Sequence, residues 1–480
     1  MNELLQVAGL DGEPVEVGAG ALEPLSDRLK GRVLVPGHAG FEEAVTIWNG
    51  MIRRRPALVV QPVDENDVRE AVRFAGDRRL VLSIRGGGHN VAGNALAHGG
   101  VTLDMSRMSA VDVDPRRALA RAGGGCLLGD VDRATQQHGL ATVLGGVSRT
   151  GVAGLTLGGG FGYLSRRFGW TVDNLEAVEI VTADGELRRA AVDDHDDLFW
   201  ALRGGGGNFG VVTNFTFRLH RIGPQVTGGM IVWDAEEADD VCEAYRQVAE
   251  ASSDDLTLML VMRLAPRAGF VPPQWHGQPV VVVVACHTGD PSTAADELAA
   301  IRSVGHPIVD RVGPIRYVDL QSMLDTAQPD GLYNYWKSEF LGAAPPELFR
   351  VFREQSATIA SPFSHAMLFQ LGGAIAGPPA GATPFGNRDA AFVFFAAGCW
   401  APDDEDGPEH AAWARAAWGA VRPYSTGGNY TNVQMGDEDD VRLKEAYGDS
   451  LDRLSAVKAR YDPDNLFRVN RNIKPAGSAG

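Results

Sequence analysis

Between residues 80 and 220, short apolar runs alternate with clusters of glycine. Residues 79–84, 100–104, 177–182 and 210–217 are rich in β-branched and large apolar side chains, and this pattern predicts strands. Helical spacing interleaves with them over 64–74, where Asp64 is the expected N-cap, and over 128–138. After Pro224 the texture changes. Longer helical patterns appear over 235–252 and 346–359, and strand patterns over 280–286, 333–338, 364–371 and 391–397. The stretches 376–387 and 401–408 carry the proline, glycine and acidic residues of surface loops, and 461–467 reads as a turn after a helix. The expectation is an α+β protein with a glycine-lined first part and a second part built on a sheet with helices.

Length and charge narrow the class. A chain of 480 residues exceeds one ordinary hydrophobic core, and its 44% hydrophobic residues suffice for two. The formal net charge of -17 opposes binding to nucleic acid or to an anionic membrane. The amino-terminal stretch is interrupted early by Asp11, Glu13 and Glu16, so no signal peptide is expected. The most apolar run, 280–286, falls far short of the roughly 20 residues of a membrane span. Cys126, Cys242, Cys286 and Cys399 are scattered with no metal-binding spacing, which fits buried thiols in a cytoplasmic protein and predicts no metal.

The 59 glycines cluster where backbone N–H groups would approach phosphate oxygens without a Cβ in the way. Gly205-Gly206-Gly207-Asn208-Phe209-Gly210 matches G-x-G-x-x-G, yet a strand follows it rather than the helix a dinucleotide-binding turn requires. The run Arg85-Gly86-Gly87-Gly88-His89-Asn90 directly follows a strand. It offers a tight anion-binding turn, a cation and a histidine at the loop exit; on pattern alone His89 is either a turn residue or a chemical one.

Four motifs taken together resemble the PCMH-type FAD-binding fold of the vanillyl-alcohol oxidase superfamily, in its berberine-bridge-enzyme-like branch. They are Arg85 to Asn90; Thr150-Gly-Val-Ala-Gly-Leu-Thr-Leu-Gly-Gly-Gly-Phe-Gly162; Asp197-Leu-Phe-Trp-Ala-Leu-Arg-Gly-Gly-Gly-Gly-Asn-Phe-Gly-Val-Val212; and Tyr461-Asp-Pro-Asp-Asn-Leu-Phe467 followed by Asn470 and Asn472. The resemblance implies an FAD-binding domain over 1–222 (core about 52–222), a substrate-binding domain over 223–425 with an antiparallel sheet covered by helices, and a segment 426–480 returning to the first domain. It further implies a covalent bond from FAD to His89. Arg85, Gly86, Gly87, Gly88, Asn90, Gly151, Gly154, Gly158, Gly159, Gly160, Gly162, Gly210, Val211, Val212, Asn432, Asn470 and Asn472 are its other implied FAD-binding positions. Many members attach FAD through a cysteine as well; Val147 stands at that position here, so a single link is expected.

The same resemblance points to a small-molecule substrate and O₂ as partners. Tyr430-Thr-Asn432 matches part of a catalytic tyrosine motif whose second tyrosine is replaced by Val433, leaving Tyr430 either at the reacting end or packed beside adenine. Period-two alternation puts His365, Met367 and Phe369 on one strand face, which is apolar apart from one titratable group, and puts Tyr333, Tyr335 and Lys337 together on another. His365, Tyr335, Lys337 and Tyr430 are thus the catalytic candidates, and the apolar face predicts an apolar alcohol or amine substrate. The resemblance also extends to one branch member that is an oxygenase, carrying oxygen at the flavin N5; it has an acidic residue where Met367 stands here, so oxidase chemistry is favoured over that alternative.

Overall fold

A computed structural model describes residues 4–438 and 440–477; residues 1–3, 439 and 478–480, which fall in the first and last predicted segments, lie outside the described residues. Among the described residues, three larger sheets organise the chain. The first runs Arg32–Leu34, Leu58–Gln61, Val101–Asp104, Leu82–Arg85, with the last three strands parallel. The helix Glu65–Asp77 makes the crossover that parallel pairing demands. Asp64 caps it by accepting from the N–H groups of Asn66 and Asp67, and the i, i+3, i+4 set Val68, Ala71, Val72 and Ala75 is buried.

The second sheet is antiparallel, in the order Leu187–Ala191, Leu175–Val181, Val211–Arg218, Leu119–Gly123, Val111–Asp114. Its core is shared with Leu198 and Phe199 of the helix Asp196–Leu202 and with Leu454, Val457 and Tyr461 of the helix Ser450–Tyr461. Within that last helix Lys458 is fully buried. Its Nζ donates to Asp462 Oδ2 at 2.6 Å and to the carbonyls of Asn208 at 2.6 Å and Phe467 at 2.9 Å, so all three donors are satisfied and the turn after Tyr461 is fixed.

The third sheet, antiparallel, draws on residues 225–400, in the order Val309–Asp310, Gln225–Asp234, Pro279–His287, Leu256–Leu264, His365–Gln370, Phe392–Trp400, Tyr333–Leu341, with Gly313–Arg316 also paired to Gln225–Asp234. Strand Pro279–His287 is flanked on both sides and buried on both faces, which is why its sequence is a continuous valine run rather than an alternation. Helices Ala238–Ala251, Pro346–Ser356 and Gly407–Val421 cover one face. The other face borders a cavity. The α+β expectation and the helix-covered antiparallel sheet are both seen.

Candidate active site

A cavity of about 440 Å³ lies between the glycine loops and the bare face of the third sheet. One wall is backbone. The strand Leu82–Arg85 runs into Gly86, Gly87 and Gly88, the last with φ +69°. A Cβ on Gly87 would lie 2.5 Å from the nitrogen of Gly151, so this loop and the one preceding the helix Val152–Leu157 touch backbone to backbone. On that helix Gly154 has nothing within 4 Å of where a Cβ would stand, and neither has Gly207; both line the cavity.

His89 lines the cavity stacked on Trp48, centroids 4.3 Å apart. Its Nε2 is buried without a hydrogen-bond partner. Burial, with a smaller contribution from the Arg149 charge, holds its pKa down at about 4, so the ring is a neutral base at neutral pH. Asn90 also lines the cavity while its Oδ1 accepts from the N–H groups of Ala92 and Asn94. Val147, Gly151, Gly158, Gly162, Gly210, Val212, Asn432 and Asn470 complete the predicted positions on the wall. Asn470 Oδ1 is a second buried atom with no partner, its Nδ2 being given to the carbonyls of Gly207 and Phe467. A glycine-lined groove, a partnerless imidazole nitrogen and an unfilled amide oxygen fit a bound dinucleotide.

Five expected FAD positions sit off this wall. Arg85 is paired with Asp104 at 3.0 Å, a carboxylate that is fully buried and whose charge requires that cation. Gly159 and Gly160, with φ of +109° and +74°, reverse the chain after the helix; there a Cβ would meet Phe385 and Thr171. Val211 packs into the core beside Val181 and Leu466, since alternation in Val211–Arg218 gives the cavity to Val212. Asn472 is not on the wall either, although its Oδ1 is buried and partnerless.

The opposite wall is side chains in transverse rows. Register sets Arg263 beside His365 and His365 beside Ala397, with Trp336 next; then Val261, Met367 and Phe395; then Met259 and Phe369. His365 and Trp336 meet edge to face at 5.5 Å, and Trp48 and Trp336 at 6.0 Å. Nδ1 of His365 lies 3.3 Å from the carbonyl of Phe363. A carbonyl only accepts, so Nδ1 carries the proton and the lone pair is on Nε2. Burial, then the Arg263 charge, depresses its pKa to about 4. Tyr430 lies at the apolar end, 4.9 Å from the Phe161 ring; Asn432 Nδ2 donates to its hydroxyl at 2.9 Å, and burial pushes its pKa up, keeping it a neutral phenol.

Tyr335 and Lys337 do not border the cavity, a correction to the sequence reading. They do share a face, but it is the helix-covered one. Tyr335 donates to Asp437 Oδ2 at 2.6 Å, and Lys337 contacts Asp437 at 3.1 Å and Glu438 at 3.3 Å. Trp336 between them is the cavity residue. Sequence reasoning missed Trp48, Trp336 and Arg263; the last is the one cation in the otherwise apolar strand pattern of Leu256–Leu264, a signal that was present.

The comparisons with known proteins agree with this geometry. The family described as FAD binding domain matches residues 56–191, and the one described as berberine and berberine like matches 428–474. (R)-6-hydroxynicotine oxidase of Paenarthrobacter nicotinovorans is 32% identical over 468 residues, 95% of this chain and 98% of that protein. An FAD-linked oxidoreductase of Dictyostelium discoideum is 29% identical over 94% of this chain and 96% of its own length. The crystal structure of 6-hydroxy-D-nicotine oxidase from Arthrobacter nicotinovorans superimposes with a TM-score of 0.83 at 28% identity, over 94% of this chain and 99% of that one. The chain therefore belongs to the berberine-bridge-enzyme-like family of FAD-linked oxidoreductases. It is an FAD-dependent oxidoreductase. Among the described residues no helix is long and apolar enough to cross a membrane, and no cluster of His, Cys, Asp and Glu could hold a metal ion.

Proposed function

We propose that the protein is an oxidase that holds FAD through one covalent bond, to His89, and oxidises a small, largely apolar alcohol or amine with O₂. The observation that carries the reading is His89 itself: a neutral imidazole on the wall of a glycine-lined cavity, with a buried, partnerless Nε2. A neutral ring nitrogen is the nucleophile such an attachment needs. Val147 offers no thiol for a second link. Gly86, Gly87, Gly88, Gly151, Gly154 and Asn470 would hold the cofactor by main-chain and amide contacts.

FAD held there would supply two-electron chemistry: a hydride acceptor for the carbon bearing the hydroxyl or amine, with O₂ as the final oxidant and H₂O₂ as its product. His365 Nε2 receives the proton that the hydroxyl or amine loses, and the neutral Tyr430 hydroxyl donates a hydrogen bond from the other end. Met367, Phe369, Phe395 and Val261 exclude water and favour an apolar substrate. The four buried, unpaired cysteines support a cytoplasmic setting.

Acid-precipitated protein should remain yellow, and one flavin peptide should contain His89. Substrate turnover in air should release about one H₂O₂ per substrate oxidised, as two-electron flavin chemistry requires. Flavin found wholly in the acid supernatant, or fast turnover with an artificial acceptor but not with air, would refute the attachment and the oxidase assignment respectively.

A further inference from the structure

The cavity wall is sorted by charge in a way that an oxidase for a neutral substrate does not need. The chain has 61 aspartates and glutamates. None of those described lines the cavity, whereas Arg263 does. Arg263 donates from Nε to the carbonyl of Leu264 at 3.1 Å and from one terminal nitrogen to that of Pro362 at 3.0 Å. Carbonyls satisfy N–H groups but do not neutralise the guanidinium, and three of its five N–H groups remain. Among the described residues no carboxylate within reach offsets the burial that depresses its pKa. A guanidinium with no counter-charge in a partly dehydrated cavity is costly unless an anion joins it.

Resting on the function proposed above, we infer that the substrate carries a carboxylate, which Arg263 binds while the apolar part lies across the next rows of the sheet. His365 stands beside Arg263 in register, so the anion is held next to the proton-accepting imidazole. The row of Val261, Met367 and Phe395 begins two residues along the strands and that of Met259 and Phe369 two further, about 7 and 13 Å from the Arg263 row. That length accommodates a carboxylate on a short chain ending in one ring. Trp336, edge-on to His365, closes the side of the same row.

The test is equilibrium binding to the anaerobic holoenzyme, read by calorimetry and by perturbation of the flavin absorption bands, with 3-phenylpropanoate, 3-phenylpropanol and 3-phenylpropylamine. The acid should bind roughly tenfold or more tighter than the alcohol, and the amine weakest, because a charge-assisted bidentate contact exists for the acid alone. R263Q should abolish the preference for the acid while changing alcohol affinity less than about twofold, and R263K should keep part of it. The inference is overturned if the wild type binds the alcohol or amine as tightly as the acid, binds none of the three, or if R263Q keeps the acid preference. Should R263Q not fold, the wild-type order decides. Binding needs no turnover, so the two readings fail separately. A preference for the acid alongside acid-released flavin sinks only the proposed function; the reverse result sinks only this inference.

Discussion

Two glycines three residues apart should answer oppositely to the same substitution. Gly151 has φ −75°, open to any residue, so a methyl group there is excluded by contact alone. In Gly151→Ala that Cβ would lie 2.3 Å from the nitrogen of Gly87 and 2.8 Å from its Cα. Ordinary contact needs about 3.5 Å, so the two loops must part by about 1 Å. Overpacking of that kind costs about 1–3 kcal/mol. Because the Gly87 loop carries His89, the same displacement misplaces the imidazole, and about 1 Å of misplacement can cost on the order of 100-fold in rate. Gly154→Ala puts its methyl into open cavity. The helix Val152–Leu157 gains about 0.5–1 kcal/mol from losing a glycine, while the groove is narrowed where the cofactor would lie.

Thermal unfolding of apoproteins made under riboflavin limitation, with the flavin-to-protein ratio of normally produced protein, separates the two effects. Gly151→Ala should unfold several degrees below the wild type, and Gly154→Ala at or slightly above it but with reduced flavin content. A Gly151→Ala protein that melts with the wild type, or a Gly154→Ala protein that loads FAD fully with unchanged affinity, would show that the glycine wall is not the cofactor cradle.

The pH response of His365 has a defined sign. With a folded pKa near 4 against 6.5 when free, it is neutral in both states above pH 6.5, and as pH falls from 6.5 to 4 the unfolded chain takes the proton first. Its stabilising contribution, up to about 3 kcal/mol, is lost over that window. Denaturant titrations at pH 7 and 5 should show a larger loss for the wild type than for His365→Gln, and the acid limb of the rate should fall near pH 4 rather than 6.5. Lys337→Met should remove one of the two cations at buried Glu438, leaving Arg442 at 3.5 Å, and cost about 1–3 kcal/mol in thermal unfolding. Its activity should fall without a change in the pH profile, whereas an altered profile would return Lys337 to the chemistry.

The fold was legible because its signals are local. Asp64 announces a helix start, the valine run of 280–286 a doubly flanked strand, and the alternation around Met367 the cavity face. The glycine motifs marked the backbone wall of the cavity for the same reason, since positive φ and close approach leave few alternatives. What was not legible is which side of a strand faces the ligand. Alternation grouped Tyr335 with Lys337 correctly, but nothing within residues 333–338 says that helices, not the cavity, cover that side. Arg85 looked like a phosphate ligand because its partner, Asp104, is 19 residues away on a neighbouring strand.

The edge strand Tyr333–Leu341 explains why residues on its two faces could be confused for one site. On the cavity face Ser338 Oγ accepts from the N–H of Tyr430 at 3.2 Å. On the helix-covered face Tyr335 and Lys337 hold Asp437 and Glu438. Asn429 Nδ2 then donates to Glu438 Oε2 at 2.6 Å, closing the stretch on itself. Residues 429–438 therefore wrap around the outer edge of the sheet, anchored on both of its faces. An edge strand would otherwise expose unpaired backbone groups, and the wrap uses that edge to set Tyr430 over the cavity. Lys337 acts on the position of Tyr430 through the chain. That is why loss of the ion pair should lower stability and turnover together while leaving the titrating groups of the site as they were.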